Sequence, residues 1–330
     1  MPLKILTGSF SALEKDFVDR LRANPPGLTR RTTVVTTSHQ MADRLQRLLT
    51  LESGDAFANL HFQTLHTLSL ETLRRSGAPV PAVVNDELFH DRLLEKILLE
   101  EGRLPPERVR PLAGAHRAAV RDLMEAGVEG AAFREHFADL EIPGNAKLQR
   151  LLDLADRVRE TLAKMNVASS AELARRAARI LEDSPDLLDP AGELIYYGFY
   201  DLNGAQSEFF DAVCRAASVT LYFPCRSGRP VWAFAQRFLD LKLGAGGAVV
   251  TPLPPTVDDA LAGVADGLFD PAVKPEGPVG RFRIIGVSGE RDDLWRAAKE
   301  IRRLKESHPD ARWSDFGVVA RSVESRSEAA

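Results

Sequence analysis

Two periodicities take turns along this chain. Short runs of β-branched, aromatic and other apolar residues fall at Leu3 to Thr7, Thr32 to Thr36, Leu60 to Gln63, Leu194 to Tyr197 and Val219 to Phe223. Such runs read as strands of a largely buried sheet. Apolar residues at helical spacing follow them: Leu13, Phe17, Val18 and Leu21 after the first, Met41, Leu45, Leu48 and Leu49 after the second, Phe209, Phe210, Val213 and Cys214 after the fourth. Start signals mark the changes of period. Ser11 and Glu14 form a capping-box pair, Ser38 precedes the second helix, and Thr64 a third. Strand–helix alternation of this kind predicts an α/β fold around a parallel sheet.

From Val84 to about Asp189 the strand period disappears. Asn85 opens a helix with Leu88, Phe89, Leu93, Ile97 and Leu98 on one face, and Pro105-Pro106 breaks it. Further helices are expected over Leu112 to Ala126, over Leu148 to Leu162, and from a Ser169/Glu172 capping box through Leu181. The pattern therefore predicts an α/β domain split into 1–80 and 190–250 by an all-helical insertion at 81–189. Pro, Gly, Ala and Asp dominate the next stretch, so 251–280 reads as a linker. Residues 281–330 start a second α/β unit, with strands at Arg281 to Val287 and Phe316 to Ala320 around a helix bearing Leu294, Ala297, Ala298, Ile301 and Leu304. The chain ends at Ala330 before that sheet can close, and a longer natural protein is expected.

Composition narrows the function classes. The 330 residues carry a net charge of −4, so no global basic field points to nucleic acid, and binding of that kind would need a local groove. Two cysteines, Cys214 and Cys225, are too few and too far apart for a disulfide framework or a CxxC metal unit, and read as core thiols in a reducing compartment. The N-terminus lacks the apolar run of a signal peptide, and no stretch reaches the roughly 18 apolar residues of a membrane span. A cytoplasmic protein without a membrane partner is expected.

The candidate chemistry lies at strand-to-helix corners. After the first strand, Gly8 occupies the place where a GxxxxGK[ST] phosphate loop begins. Counting from it, the second glycine position holds Leu13, the lysine position Glu14 and the hydroxyl position Lys15. A carboxylate in place of the lysine reverses the interaction with phosphate, a term of roughly 4 kcal/mol at about 4 Å and an effective dielectric of about 20. After the fourth strand comes Tyr197-Gly198-Phe199-Tyr200-Asp201-Leu202-Asn203, then Gln206. This frame resembles the DEFQDTNxxQ motif of superfamily 1 helicases, with its two catalytic carboxylates replaced by Tyr197 and Gly198. Pro224 to Gly228 lacks the Gly-Asp and the γ-phosphate-sensing Gln that would follow the next strand. Thr36, Thr37 and Ser38 fall where a DNA-facing motif lies in that family. Thr64-Leu65-His66 is similar to a second such motif, and Val319-Ala320-Arg321-Ser322 to an Arg-bearing one.

In its order of elements the chain resembles the N-terminal part of AddB-type subunits of bacterial helicase–nucleases. The resemblance implies a RecA-like parallel sheet (a P-loop NTPase-like fold) with a large all-helical insertion and the start of a second RecA-like domain. It implies a degenerate ATP site at Gly8, Leu13, Glu14, Lys15, Tyr197, Gly198, Asp201 and Gln206, with no catalytic residue and no metal. DNA-binding candidates are Thr36, Thr37, Ser38, Thr64, His66 and Arg321. Its implied partners are DNA and an active motor subunit, in double-strand break repair and recombination. No cofactor is expected in these residues. An iron–sulfur cluster, Mg²⁺ and a PD-(D/E)xK nuclease would lie beyond Ala330.

Plainer readings stand beside these. Ser38 and Thr64 serve equally as helix caps, and His66 as a half-buried histidine. Arg175 and Arg179 share a helix face that suits phosphate or plain solvation. Gly286-Val287-Ser288-Gly289-Glu290 lacks the last glycine of a hydrolase GxSxG elbow, and Gly244 to Gly247 reads as a turn. Two functional alternatives remain: a protein-interaction module without a nucleic-acid role, and an ATPase using Lys15 and Asp201 in an unusual loop.

Overall fold

A computed structural model describes residues 3–27, 31–54, 57–102, 105–137, 145–243, 247–254, 270 and 285–319. The chain divides into two compact units, Met1–Val273 and Lys274–Ala330. The first is built on a six-stranded sheet. Its strands are β1 (Lys4–Gly8), β2 (Thr32–Thr36), β3 (Leu60–Thr64), β6 (Glu193–Tyr197), β7 (Val219–Pro224) and β8 (Val249–Pro252). They lie in the order β3-β2-β6-β7-β1-β8, and every neighbouring pair is parallel. The architecture is α/β and consistent with a RecA-like fold.

Side chains alternate across this sheet and divide its core in two. Leu6, Val34, Ile195, Tyr197 and Tyr222 point to one face, where α1 (Phe10–Ala23) and α2 (His39–Ser53) cover them. Ile5, Val35, Leu194, Tyr196, Leu221 and Phe223 point to the other, with α3 (Leu65–Arg75), α8 (Ser170–Asp183) and α9 (Gly204–Ala216). The split follows from connection direction. Going from β1 to β2 to β3 the chain crosses the sheet one way, and from β3 to β6 to β7 it returns. Right-handed crossovers in opposite directions place their helices on opposite faces.

Between β3 and β6 the chain also forms β4 (Ala82–Val83), α4 (Glu87–Glu100), α5 (Pro106–Glu125), α6 (Gly130–His136), α7 (Asn145–Lys164) and β5 (Val167–Ala168). Leu93, Ile97, Val109, Val120, Leu154 and Val158 give α4, α5 and α7 a core of their own. The segment is not all-helical, because β4 and β5 pair in parallel at Ala82↔Val167 and Val83↔Ala168. Nor does α8 belong to that separate core. Its Leu173, Ala174, Ala177, Ala178 and Leu181 pack on the sheet; its alanines leave room for a close approach to α3 and α9. Helix α5 starts six residues before the expected Leu112, because Pro106 sits in the first turn, where no N–H is needed. Gly204, the first residue of α9, lies so close to the end of α5 that a Cβ would collide with the carbonyl of Ala126.

Two further expectations need correction. The linker expected from 251 overlaps β8, which pairs with β1 from Lys4↔Val249 to Thr7↔Pro252. All four of its residues are exposed, and an edge strand tolerates Pro252. In the second unit, α11 (Glu290–Ser307) forms as expected and a 3-10 turn follows at Trp313–Asp315. The strands expected on either side do not form among the described residues: 285–287 and 316–319 are irregular, with Val318 and Val319 exposed. A strand needs a neighbour to pair with, and the described part of this unit offers none. Residues 281–284, Ala320 and most of the expected linker lie outside the described residues.

Candidate nucleic-acid interface

Two places at the C-terminal rim of the sheet were open to a ligand by topology, since ligands of open α/β sheets bind where neighbouring strands send their connections to opposite faces. One lies between β7 and β1, the other around β2, β3 and β6. The chain closes the first and leaves the second open.

At the first, β1 ends at Gly8 and α1 begins at Phe10, with only Ser9 between them. Ser9 is the N-cap: its hydroxyl accepts from the Ala12 N–H at 3.3 Å. The expected Ser11/Glu14 box does not form, because the helix starts earlier and places Ser11 inside it. A phosphate loop needs several residues between strand and helix so that their amides can surround an anion, and a single residue cannot supply them. Leu13 is fully buried in the core. Glu14 accepts from Arg44 Nε at 2.6 Å, while Lys15 is exposed.

The ring of Tyr197 lies under α1. It stacks on Tyr222 at 5.4 Å and meets Phe17 edge-on at 5.4 Å. Gly198 turns the chain with φ +81, its N–H donating to the Tyr222 carbonyl at 3.0 Å. Burial raises the Tyr197 hydroxyl far above the ordinary range, and the group has no hydrogen-bond partner among the described residues. The eight residues of the degenerate ATP site are therefore not gathered in one place. Gly8, Leu13, Glu14 and Lys15 stay with α1, and Asp201 and Gln206 turn to the second site.

The second site is a cleft of about 850 Å³. Thr36, Thr37 and Ser38 enter it from the end of β2, and Thr64 and His66 from the end of β3. Phe199, Tyr200, Asp201, Asn203 and Gln206 come from the corner after β6, and Glu125 and Ser170 from the ends of α5 and α8. Helices α2, α3, α8 and α9 all begin at or beside this cleft. Their caps are made: Ser38 Oγ accepts from Met41 N–H at 3.2 Å, and Thr64 Oγ1 from Thr67 N–H at 3.3 Å. Asn203 and Gln206 form a reciprocal capping box, at 2.9 Å from the Gln206 N–H and 3.2 Å from the Asn203 N–H. Capping alone accounts for Asn203 and Gln206, two of the four residues that match the helicase frame. Burial lowers the pKa of His66, and its Nδ1 has no partner among the described residues.

The cleft is polar without being basic. Its lining includes Asp43, Glu125, Asp201, His39 and His66 and, among the described residues, no Lys or Arg. Anion contacts there would come from hydroxyls, amides and helix N-termini. Five of the six residues singled out for DNA are brought together here. The sixth, Arg321, lies outside the described residues. Tyr200, Glu125 and Ser170 escaped the sequence reading as site residues; the last two come from segments far away in the chain, and no motif links them to the strand ends.

Arg175 is neither a phosphate contact nor a solvated charge. It is 6% exposed, and it pairs with Glu129 at 2.5 Å and Glu208 at 2.9 Å. Arg179, exposed, shares Glu129 at 2.9 Å. Both cysteines are free thiols, Cys225 buried and Cys214 half-buried. Among the described residues no group of three or more His, Cys, Asp or Glu is arranged to hold a metal, and no helix is long and apolar enough to cross a membrane. Compared with known proteins, the chain matches no family model and no curated protein sequence.

Proposed function

We propose that this chain is a helicase-like scaffold without ATPase activity, which holds single-stranded DNA in the cleft at the ends of β2, β3 and β6. On this reading it belongs to an AddB-type helicase–nuclease of double-strand break repair and recombination. It works in the cytoplasm beside a motor subunit that supplies the hydrolysis, and nuclease chemistry resides in a further part of the same protein. The observation that carries the proposal is the contrast at the sheet rim. The phosphate-loop corner is filled by Leu13 and the Tyr197 ring, while hydroxyls and amides converge on an open cleft at the neighbouring corner.

Anisotropy of a labelled oligothymidylate tests it. Binding at low salt is expected, weakening with salt by a slope of about −0.7 per phosphate contact. Thr64→Val with His66→Ala is expected to weaken it, and Mg²⁺–ATP to leave the melting temperature unchanged. Absence of binding at low salt, for the chain alone and with its partner subunit, would overturn the proposal. One observation favours a second reading, a protein-interaction module: the carboxylates of Asp43, Glu125 and Asp201 in a lining that has no Lys or Arg among the described residues. Capture of a partner that survives nuclease treatment, with no DNA affinity, would select it.

A further inference from the structure

A strand held in this cleft brings one negative charge per phosphate, and among the described residues the lining offers no Lys or Arg to meet them. A cationic segment adjoins the cleft through the Tyr200–Phe234 contact, the excursion after β7. Residues 226–242 carry Arg226, Arg229, Arg237 and Lys242 against the single carboxylate of Asp240, in a chain of net charge −4. Arg229 and Arg237 are exposed, make no ion pair among the described residues, and line a shared groove of about 490 Å³.

The same segment exposes an aromatic ring. Phe234, on the short helix α10 (Ala233–Phe238), is 54% exposed, and Tyr200, on the cleft wall, is 41% exposed. Their rings meet edge to face at 5.6 Å. Two residues before Phe234, Trp232 lies 6.2 Å from the ring of Phe10, itself 43% exposed at the start of α1. Trp232 is half-buried and packs, like Ala235 and Leu239, against the sheet core, whereas Phe234 is left facing outward.

We propose that Tyr200 and Phe234, together with the half-buried Trp232 and the cations of Arg229 and Arg237 on the same segment, form a base-stacking platform that continues the cleft and binds single-stranded DNA leaving it. Aromatic faces with interleaved cations suit a single strand of any sequence, because every base has a π-face and every linkage a charge. Three features select this occupant over a protein: the local excess of Arg, the stacking-competent rings, and continuity with the cleft through the Tyr200–Phe234 contact. The inference rests on the DNA reading of the cleft, which can nonetheless stand without it.

The test uses the intact chain and the same labelled oligothymidylate. Phe234→Ala is expected to weaken binding by about 5-fold to 150-fold, the range for one lost base–aromatic stack. Arg229→Ala with Arg237→Ala is expected to reduce the salt slope by about 1.4, at about 0.7 per phosphate contact. Both sites are exposed, so unchanged melting temperatures serve as the folding check. A second readout needs no truncation: Trp295→Phe with Trp313→Phe leaves Trp232 as the sole tryptophan of three, and its fluorescence should be quenched on binding. If the oligonucleotide binds and responds to the cleft substitutions, but the Phe234 and Arg variants keep wild-type affinity and slope, the platform is overturned and the cleft reading survives. Binding of a partner protein that depends on Phe234, in place of the DNA effect, also overturns it. No binding by the wild-type protein at low salt removes both.

Discussion

Two tyrosines in one aromatic cluster should respond in opposite directions to the same conservative change. Tyr197 and Tyr222 are both fully buried, stack on each other and share Phe17 as a neighbour. The Tyr222 hydroxyl donates to Asp16 Oδ2 at 2.9 Å, and Arg20 interacts with it as well. The Tyr197 hydroxyl has no hydrogen-bond partner among the described residues. A hydrogen bond to a charged group contributes about 1.5–3 kcal/mol, and a buried polar group left unpaired costs about 1–3 kcal/mol. Water replaces part of the lost bond at half-buried Asp16, so Tyr222→Phe should destabilise by about 1–2 kcal/mol. Tyr197→Phe keeps the ring contacts, removes the unpaired group and should stabilise by about 1 kcal/mol. A third variant, Tyr197→Asp, returns the first carboxylate of the helicase frame. It should cost more than about 3 kcal/mol, because a charge buried without a partner is heavily penalised. Urea unfolding followed by circular dichroism measures all three, with a constant m-value as the check that midpoints report stability. A loss of 1 kcal/mol or more in Tyr197→Phe would mean that the hydroxyl is used, and Tyr197 would not be an apolar plug.

Three further outcomes are expected. Gly204→Ala should destabilise by about 2 kcal/mol or more despite alanine's better helix propensity, since the obstacle is the Ala126 backbone; an unchanged urea midpoint would show that α5 yields. Arg175 holds the Glu129 carboxyl below its ordinary value by hydrogen bonding, so this pair stabilises the fold above pH 4.5 and its contribution fades as pH falls through the lowered pKa. Arg175→Met should lower the melting temperature at pH 7 and flatten this acid limb, and an unaltered limb would assign it to other carboxylates. Burial pushes the Cys214 thiol up to about 12 and the Cys225 thiol up to about 11. Neither should be alkylated at pH 8 in the time that both react in guanidinium, and rapid native labelling would expose an opening of the fold.

The sheet was legible because its inner strands are buried on both faces. Leu194 to Tyr197 and Val219 to Phe223 stand out as strands without reference to any neighbour. The edge strand β8 was not, since its four exposed residues carry no burial pattern and end in a proline. The helix caps were legible at Ser38, Thr64 and Ser169, where the cap directly precedes the first periodic residue. At α1 the signal misled, because Ser9 and Ser11 both suit a cap and only the end of β1 at Gly8 decides between them. Half of the cleft could be read from strand-end motifs. Glu125 and Ser170 could not, because they arrive through the packing of α5 and α8, and that packing depends on the glycine at 204 and on small residues along α8.

The residues that separate this chain from a helicase frame share one volume. Starting α1 at Phe10 leaves no loop for phosphates, and it also brings Leu13 and Phe17 down onto the sheet. Phe17 then packs against Tyr197, the residue at the position of the first carboxylate in the helicase frame. Neither change can be reversed alone. A lengthened loop would lift α1 from the Tyr197 and Tyr222 rings, and a carboxylate at 197 would be buried beneath an intact α1. The polar groups of the cleft are fixed by caps on α2, α3 and α9. On the proposed reading, a rim divided in this way gives up nucleotide chemistry at one corner and keeps an open cleft for a strand at the other. Selection for hydrolysis would then have preserved the loop at the expense of the aromatic plug, and this chain has the plug.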